Sequence, residues 1–87
     1  MIYYYDLKRD RMLFYCIDGE IIYRKTDGRE DIVVAYRDIN DPDYAWYKDL
    51  DAFDDPIAYE NNEVVYDYKT DKPIYIIVLN NEALYGI

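Results

Sequence analysis

The sequence predicts an α+β fold: a mostly antiparallel β-sheet, built as a meander of hairpins, with one short α-helix packed on a face. Three observations lead there. Short apolar, tyrosine-rich segments alternate with breaks rich in Asp, Asn and Gly, as in half-buried strands joined by tight turns. Two Asp-Gly pairs, Asp18-Gly19 and Asp27-Gly28, suit the left-handed backbone of a hairpin turn. One segment, opening at Asp41-Pro42, changes to helical spacing. At 87 residues a single core suffices, so residues 1–87 are expected to form one domain.

In chain order, residues 2–7 read as a first strand, followed by the polar connection Lys8-Arg9-Asp10-Arg11. Residues 12–17, 20–26 and 29–37 read as three further strands. Pairing outward from Asp18-Gly19 sets Cys16 against Ile21, Tyr15 against Ile22 and Phe14 against Tyr23. Around Asp27-Gly28, Lys25 meets Glu30, Arg24 meets Asp31 and Tyr23 meets Ile32. Opposite-charge and aromatic–aliphatic cross-strand pairs favour that register.

Asp41 can cap a helix whose first position is Pro42, and Pro56 can stop it. Between them Trp46, Leu50 and Phe53 fall at i, i+4 and i+7 and would form its apolar stripe. Residues 63–68 and 74–79 follow as strands. The second is apolar on both faces and therefore expected at the centre of the sheet. Asn80-Asn81 then turns into a last strand over 82–85. No internal repeat, linker or low-complexity tail is evident.

Composition limits the chemistry. The chain has no histidine, one cysteine and three glycines, with 19 acidic residues against 10 basic ones, a net charge of −9. Ser–His and Cys–His nucleophile systems and Cys/His zinc sites are excluded. No Gly-rich phosphate cradle is present, and the charge opposes direct binding of nucleic acid or anionic lipid. The expectation is therefore a protein that is not an enzyme and needs no cofactor or metal. The stretch Asp38-x-Asn40-x-Pro42 begins like a calcium loop but lacks the fifth-position ligand, the sixth-position Gly and the twelfth-position Glu. No apolar run is long enough to span a membrane as a helix. The start lacks the pattern of a signal peptide, and the lone Cys16 fits a reducing compartment, so a cytoplasmic location is expected. Cys16 itself reads as a small buried hydrophobe.

The functional signal lies between residues 38 and 55. Asp38, Asp41, Asp43, Asp49, Asp51, Asp54 and Asp55 are opposed there only by Lys48, with Tyr44 and Tyr47 interleaved. Aspartate is an ordinary turn residue, but Asp54 and Asp55 would stand at a helix C-terminus, where the dipole disfavours anions. Carboxylates at this spacing can present a row of anions resembling a nucleic-acid backbone. Tyrosines add rigid contact area at low entropic cost. These nine residues are the candidate partner-binding set, and Trp46 is assigned to the core. The partner would be a basic protein, bound by a monomer or homodimer.

In its small size, acidity, abundance of tyrosine (13 residues) and the 38–55 segment, the chain resembles the phage-encoded inhibitors of host defence, the anti-CRISPR and DNA-mimic class. The resemblance implies an inhibitor, acting in the host cytoplasm, that binds a Cas effector or other nuclease complex and blocks its access to DNA. A small enzyme working through carboxylates alone ranks last, since 87 residues leave little room for a substrate cleft, and two alternatives stand above it. One is an immunity protein neutralising a basic nuclease toxin. The other is an assembly subunit joined through tyrosine-rich edge strands.

Overall fold

The computed structural model describes residues 1–26, 28–52 and 54–79. Eight strands follow one another: β1 (Ile2–Asp6), β2 (Arg11–Cys16), β3 (Ile21–Arg24), β4 (Ile32–Arg37), β5 (Trp46–Tyr47), β6 (Ala58–Asn61), β7 (Val64–Asp67) and β8 (Pro73–Leu79). Each pairs antiparallel with the next, and β8 returns to pair with β1, so the sheet closes into an up-and-down barrel. The expected α+β architecture with an open sheet and a helix on its face is overturned: there is no helix among the described residues. Every strand is hydrogen-bonded on both sides. Among the described residues no strand presents the free edge on which the assembly reading relies.

The predicted helix fails after one turn, for a local reason. Asp41 does cap: its Oδ1 accepts the Asp43 N–H at 2.8 Å, and the Tyr44 N–H reaches the Asp41 carbonyl at 3.0 Å. Tyr44 then takes a left-handed backbone, φ 47°, which ends helical propagation. The chain turns back so that the Asp38 N–H bonds the Ala45 carbonyl. Trp46 enters the barrel as part of β5, whereas Leu50 stays 57% exposed. Phe53, the Asp27 half of the second Asp-Gly turn and the expected last strand over 82–85 lie outside the described residues.

Both predicted hairpin registers are one residue short. Cys16 faces Ile22 and Tyr15 faces Tyr23; Tyr23 faces Val33 and Arg24 faces Ile32. At the first turn the Asp18 carboxylate accepts the N–H groups of both Glu20 and Ile21. The side chain stands in for a partner strand and lengthens the loop around Gly19, φ 88°. A one-residue slip exchanges faces. Tyr23 consequently stacks on Tyr15 outside the barrel, ring centres 5.4 Å apart, rather than facing inward. Asp31 is engaged by the Tyr15 hydroxyl and the Thr26 N–H in place of the expected ion pair with Arg24.

An internal repeat is present after all. Tyr5-Asp6-x-Lys8-x-Asp10-Arg11 and Tyr66-Asp67-x-Lys69-x-Asp71-Lys72 share spacing and chemistry. They also build the same turn. The first Asp accepts the N–H groups two and three residues on, and the second Asp is left-handed (φ 57° and 56°) and bonds back to the first carbonyl. These turns close β1–β2 and β7–β8, the hairpins on either side of the closing pair.

An eight-stranded barrel is just wide enough for side chains to fill it. Tyr4, Phe14, Cys16, Ile22, Trp46 and Val65 do so, with Tyr75 and Ile77 packed against them. Tyr4 meets Trp46 edge-on at 5.0 Å, and Tyr75 contacts both Trp46 and Phe14. The small Ala58 stands opposite Trp46 in register, where a larger residue would compete with the indole. The weakest part of the wall is β5, two residues long and paired with β6 only through Trp46 and Ala58.

A buried ion pair bridges that seam. Glu60 on β6 receives the Arg37 guanidinium through two bonds, Nε to Oε2 at 2.6 Å and Nη2 to Oε1 at 3.0 Å, and the Trp46 indole N–H at 2.7 Å. The remaining Arg37 nitrogen, Nη1, donates to the Gly19 carbonyl at 3.0 Å. Glu60→Gln, which strands the guanidinium while keeping an acceptor for Trp46, is expected to cost about 3 kcal/mol. Adding Arg37→Met should recover part of the loss in urea unfolding midpoints.

Asp6 is also buried. Burial raises its pKa, but the Arg9 N–H, the Arg9 guanidinium and the Lys8 N–H together outweigh this and hold it below the ordinary carboxylate value. Its folded pKa lies below the unfolded one, so its stabilisation is complete above about pH 4 and is lost as pH falls through the folded value. Thermal melts should show Asp6→Asn less stable than the parent at pH 7, with the gap narrowing towards pH 3.

Candidate docking surface at the anionic end of the barrel

In an up-and-down barrel successive loops alternate between the two ends. The β2–β3, β4–β5 and β6–β7 connections therefore share one end. They carry Asp18, Glu20, Asp38, Asp41, Asp43 and Glu63, all exposed or half-exposed, and no lysine or arginine. Arg37, at the end of β4, is turned inward onto Glu60. Every other basic residue of the chain lies in a loop at the opposite end or at a strand terminus beside it. The basic residues are thus sorted by end, whereas carboxylates occur at both.

The β4–β5 loop is the ridge of this surface, and its own aspartates shape it. Asp38 Oδ1 accepts the Asn40 N–H at 3.0 Å, as Asp41 does that of Asp43. The Asp43 carbonyl takes the Glu60 N–H at 2.8 Å, fastening the ridge to β6. Tyr44 lies under the Arg37 guanidinium, 4.3 Å from its ring centre, a cation–π contact that ties the loop to the buried pair.

Two of the grooves that this loop lines combine aromatic or apolar walls with its carboxylates. One, of about 530 Å³, is lined by Ile21, Tyr36, Ile39 and Leu50 together with Glu20, Asp38 and Arg37, whose guanidinium is bound to Glu60. The other, of about 370 Å³, is lined by Asp41, Asp43, Tyr47, Pro56, Tyr59 and Tyr68. Tyr59 stacks on Tyr66 and meets Tyr68 edge-on, and its hydroxyl donates to Asp71 at 3.0 Å. That bond to Asp71, with burial and the charges of Asp71 and Asp43, raises the Tyr59 pKa. Burial, followed by Asp41 and Asp38, does the same for Tyr47. Asp18, which accepts the Glu20 and Ile21 N–H groups, is held below the ordinary carboxylate range and so stays anionic.

The nine residues expected from the sequence divide here. Asp38, Asp41, Asp43 and Tyr47 come together around the ridge and its grooves. Tyr44 is 40% exposed but engaged with Arg37. Asp49, Asp51, Asp54 and Asp55 are exposed in the β5–β6 connection, which contributes Leu50 and Pro56 to the grooves rather than these carboxylates. With no helix there, the dipole cost inferred for Asp54 and Asp55 does not arise. Asp18, Glu20, Glu63 and Tyr59 were missed, and Tyr68, which suits an interface and sheet packing equally, was not in the set. Alternate loops of the meander, grouped by end, would have shown the carboxylates.

Among the described residues no three Cys, Asp or Glu side chains converge as a metal site requires, and no helix is long and apolar enough to cross a membrane. No protein-family model, curated protein or solved structure matches the chain. The functional reading therefore rests on the chemistry of this surface. Asp41→Asn, which keeps an oxygen for the Asp43 N–H, removes one anion facing Tyr47. The Tyr47 pKa is expected to fall towards its ordinary value of about 10, as followed by the ring Cζ resonance in an alkaline NMR titration.

Proposed function

We propose that the protein is a stoichiometric inhibitor, not an enzyme, that docks the anionic end of its barrel into the basic, DNA-holding channel of a nuclease complex. The Cas effectors implied by the anti-CRISPR resemblance are the specific class of target. One observation carries the reading: six exposed or half-exposed carboxylates sit on three adjacent loops that carry no lysine or arginine. A surface of one sign repels itself and attracts a partner of the opposite sign, speeding encounter and making binding salt-sensitive. Ile17, Ile39 and Tyr44 stand exposed among the carboxylates and supply apolar contact that charge alone lacks.

The test is displacement of target DNA from a purified Cas effector, read by gel mobility across a salt series. The parent protein is expected to displace DNA at equimolar ratio, less well as salt rises. The triple variant Glu20→Lys, Asp43→Lys, Glu63→Lys changes one residue in each of the three loops, none of which caps a turn with its side chain. It is expected to keep the parent's circular dichroism and lose displacement. Full inhibition by that folded variant would sink electrostatic mimicry.

A further inference from the structure

The groove between the β4–β5 ridge and the outer wall of β5–β7 has the chemistry of a receptor for a flat organic cation. Tyr59 and Tyr68 stand at 87° to one another with ring centres 6.3 Å apart, forming a corner of aromatic surface. Tyr47 lines the same groove from β5, and Asp41 and Asp43 form its acidic side. No lysine or arginine of the chain lines it. We infer that this groove takes the arginine side chain of a basic partner, its guanidinium against the tyrosine rings and paired with the two carboxylates.

The choice of arginine follows from the molecule's own usage. Just before the groove-lining Asp41 and Asp43 in sequence, Arg37 is held by the same two kinds of group, the Glu60 carboxylate and the Tyr44 ring at 4.3 Å. A guanidinium is planar and weakly hydrated, so it stacks on a ring and bonds a carboxylate together. An ammonium is compact and holds its water more tightly. Aromatic walls alone would accept any apolar group; the two aspartates make the groove selective for charge. The surrounding field is also anionic, since Asp41 and Asp38 act on the Tyr47 hydroxyl and Asp71 and Asp43 on that of Tyr59.

The inference deepens the inhibitor reading, naming what a basic channel would insert, but it can be tested without the nuclease. N-acetyl-arginine amide is titrated into the full-length protein and followed by NMR, with N-acetyl-citrulline amide as the uncharged isostere and N-acetyl-lysine amide as the compact cation. Saturable shifts are expected at the Tyr59 and Tyr68 rings and the Asp43 amide for the arginine probe, and none for citrulline. Asp43→Asn or Tyr68→Leu should each weaken that binding about fivefold; both residues are exposed, and the unperturbed spectrum of each variant verifies its fold. Equal response to citrulline, tighter binding of the lysine probe, or shifts spread without saturation over Asp18, Glu20 and Glu63 would overturn the assignment. If the arginine probe fails to bind while the protein still displaces DNA, the groove assignment falls and the inhibitor reading stands. If the probe binds but DNA is not displaced, the reverse holds.

Discussion

The carboxylate of Glu60 is the point on which the rest of the structure depends. A closed barrel needs every neighbouring pair of strands to hold, and β5, at two residues, offers β6 a single register pair. Backbone hydrogen bonding cannot secure so short a strand. Glu60 binds β4 through Arg37 and β5 through the Trp46 indole, while its own N–H donates to the Asp43 carbonyl. A buried ion pair is often no more stabilising than apolar packing. Here it supplies direction that apolar packing lacks, because the fork of Arg37 also reaches the β2–β3 loop at Gly19 and overlies Tyr44. Two of the three loops of the anionic end are thus fastened to one interior group.

Tyr4 shows the cost of that arrangement. Its hydroxyl is fully buried beside this pair and finds no hydrogen-bond partner among the described residues. Burial and the neighbouring Glu60 charge both raise its pKa, against the opposing effect of Arg37. An orphaned hydroxyl in a low-dielectric interior is destabilising, and the ring's edge-on contact with Trp46 is what its burial gains. Of the two buried carboxylates, Asp6 serves the β1–β2 turn at the opposite end, and Glu60 lies behind the surface that carries the unbalanced charge.

Much of the strand content could be read from period-2 patterning. Residues 2–7, 12–17 and 74–79 contain β1, most of β2 and most of β8. The burial of Trp46 and Cys16 was likewise legible. Closure of the sheet was not. It is a property of eight pairings summed, and no single segment encodes it. The helix was misjudged because Asp41-Pro42 is chemically a good start, and capping was weighed without the cost of propagation. The register slipped because an Asp side chain can replace a strand's hydrogen bonds: Asp18 serves two N–H groups, and a two-residue Asp-Gly turn counts neither. The repeat of Tyr-Asp-x-Lys-x-Asp was plain in the sequence, but it is a turn motif of seven residues, too short to register as a structural unit. For the site, the linear cluster at 38–55 mixed two locations. Residues 38–45 and 48–57 connect opposite ends of β5, and only spatial alternation brings the first of them beside Asp18, Glu20 and Glu63.

Whether these aspartates are turn residues or surface anions is a false alternative. Asp18, Asp38 and Asp41 each use Oδ1 to accept backbone N–H groups within their own loops, and a carboxylate retains its charge and its second oxygen when it does so. Hydrogen bonds of this kind favour the ionised form, as the lowered Asp18 pKa shows. The interaction that rigidifies each loop therefore also fixes an anion in position. A nucleic-acid backbone presents charge at near-constant spacing, and a partner that grips it gains little from anions on mobile side chains that must first be ordered. Loops held by their own charged groups avoid that ordering; their mutual repulsion is screened by salt and, for the inhibitor proposed above, relieved by the basic surface it docks on.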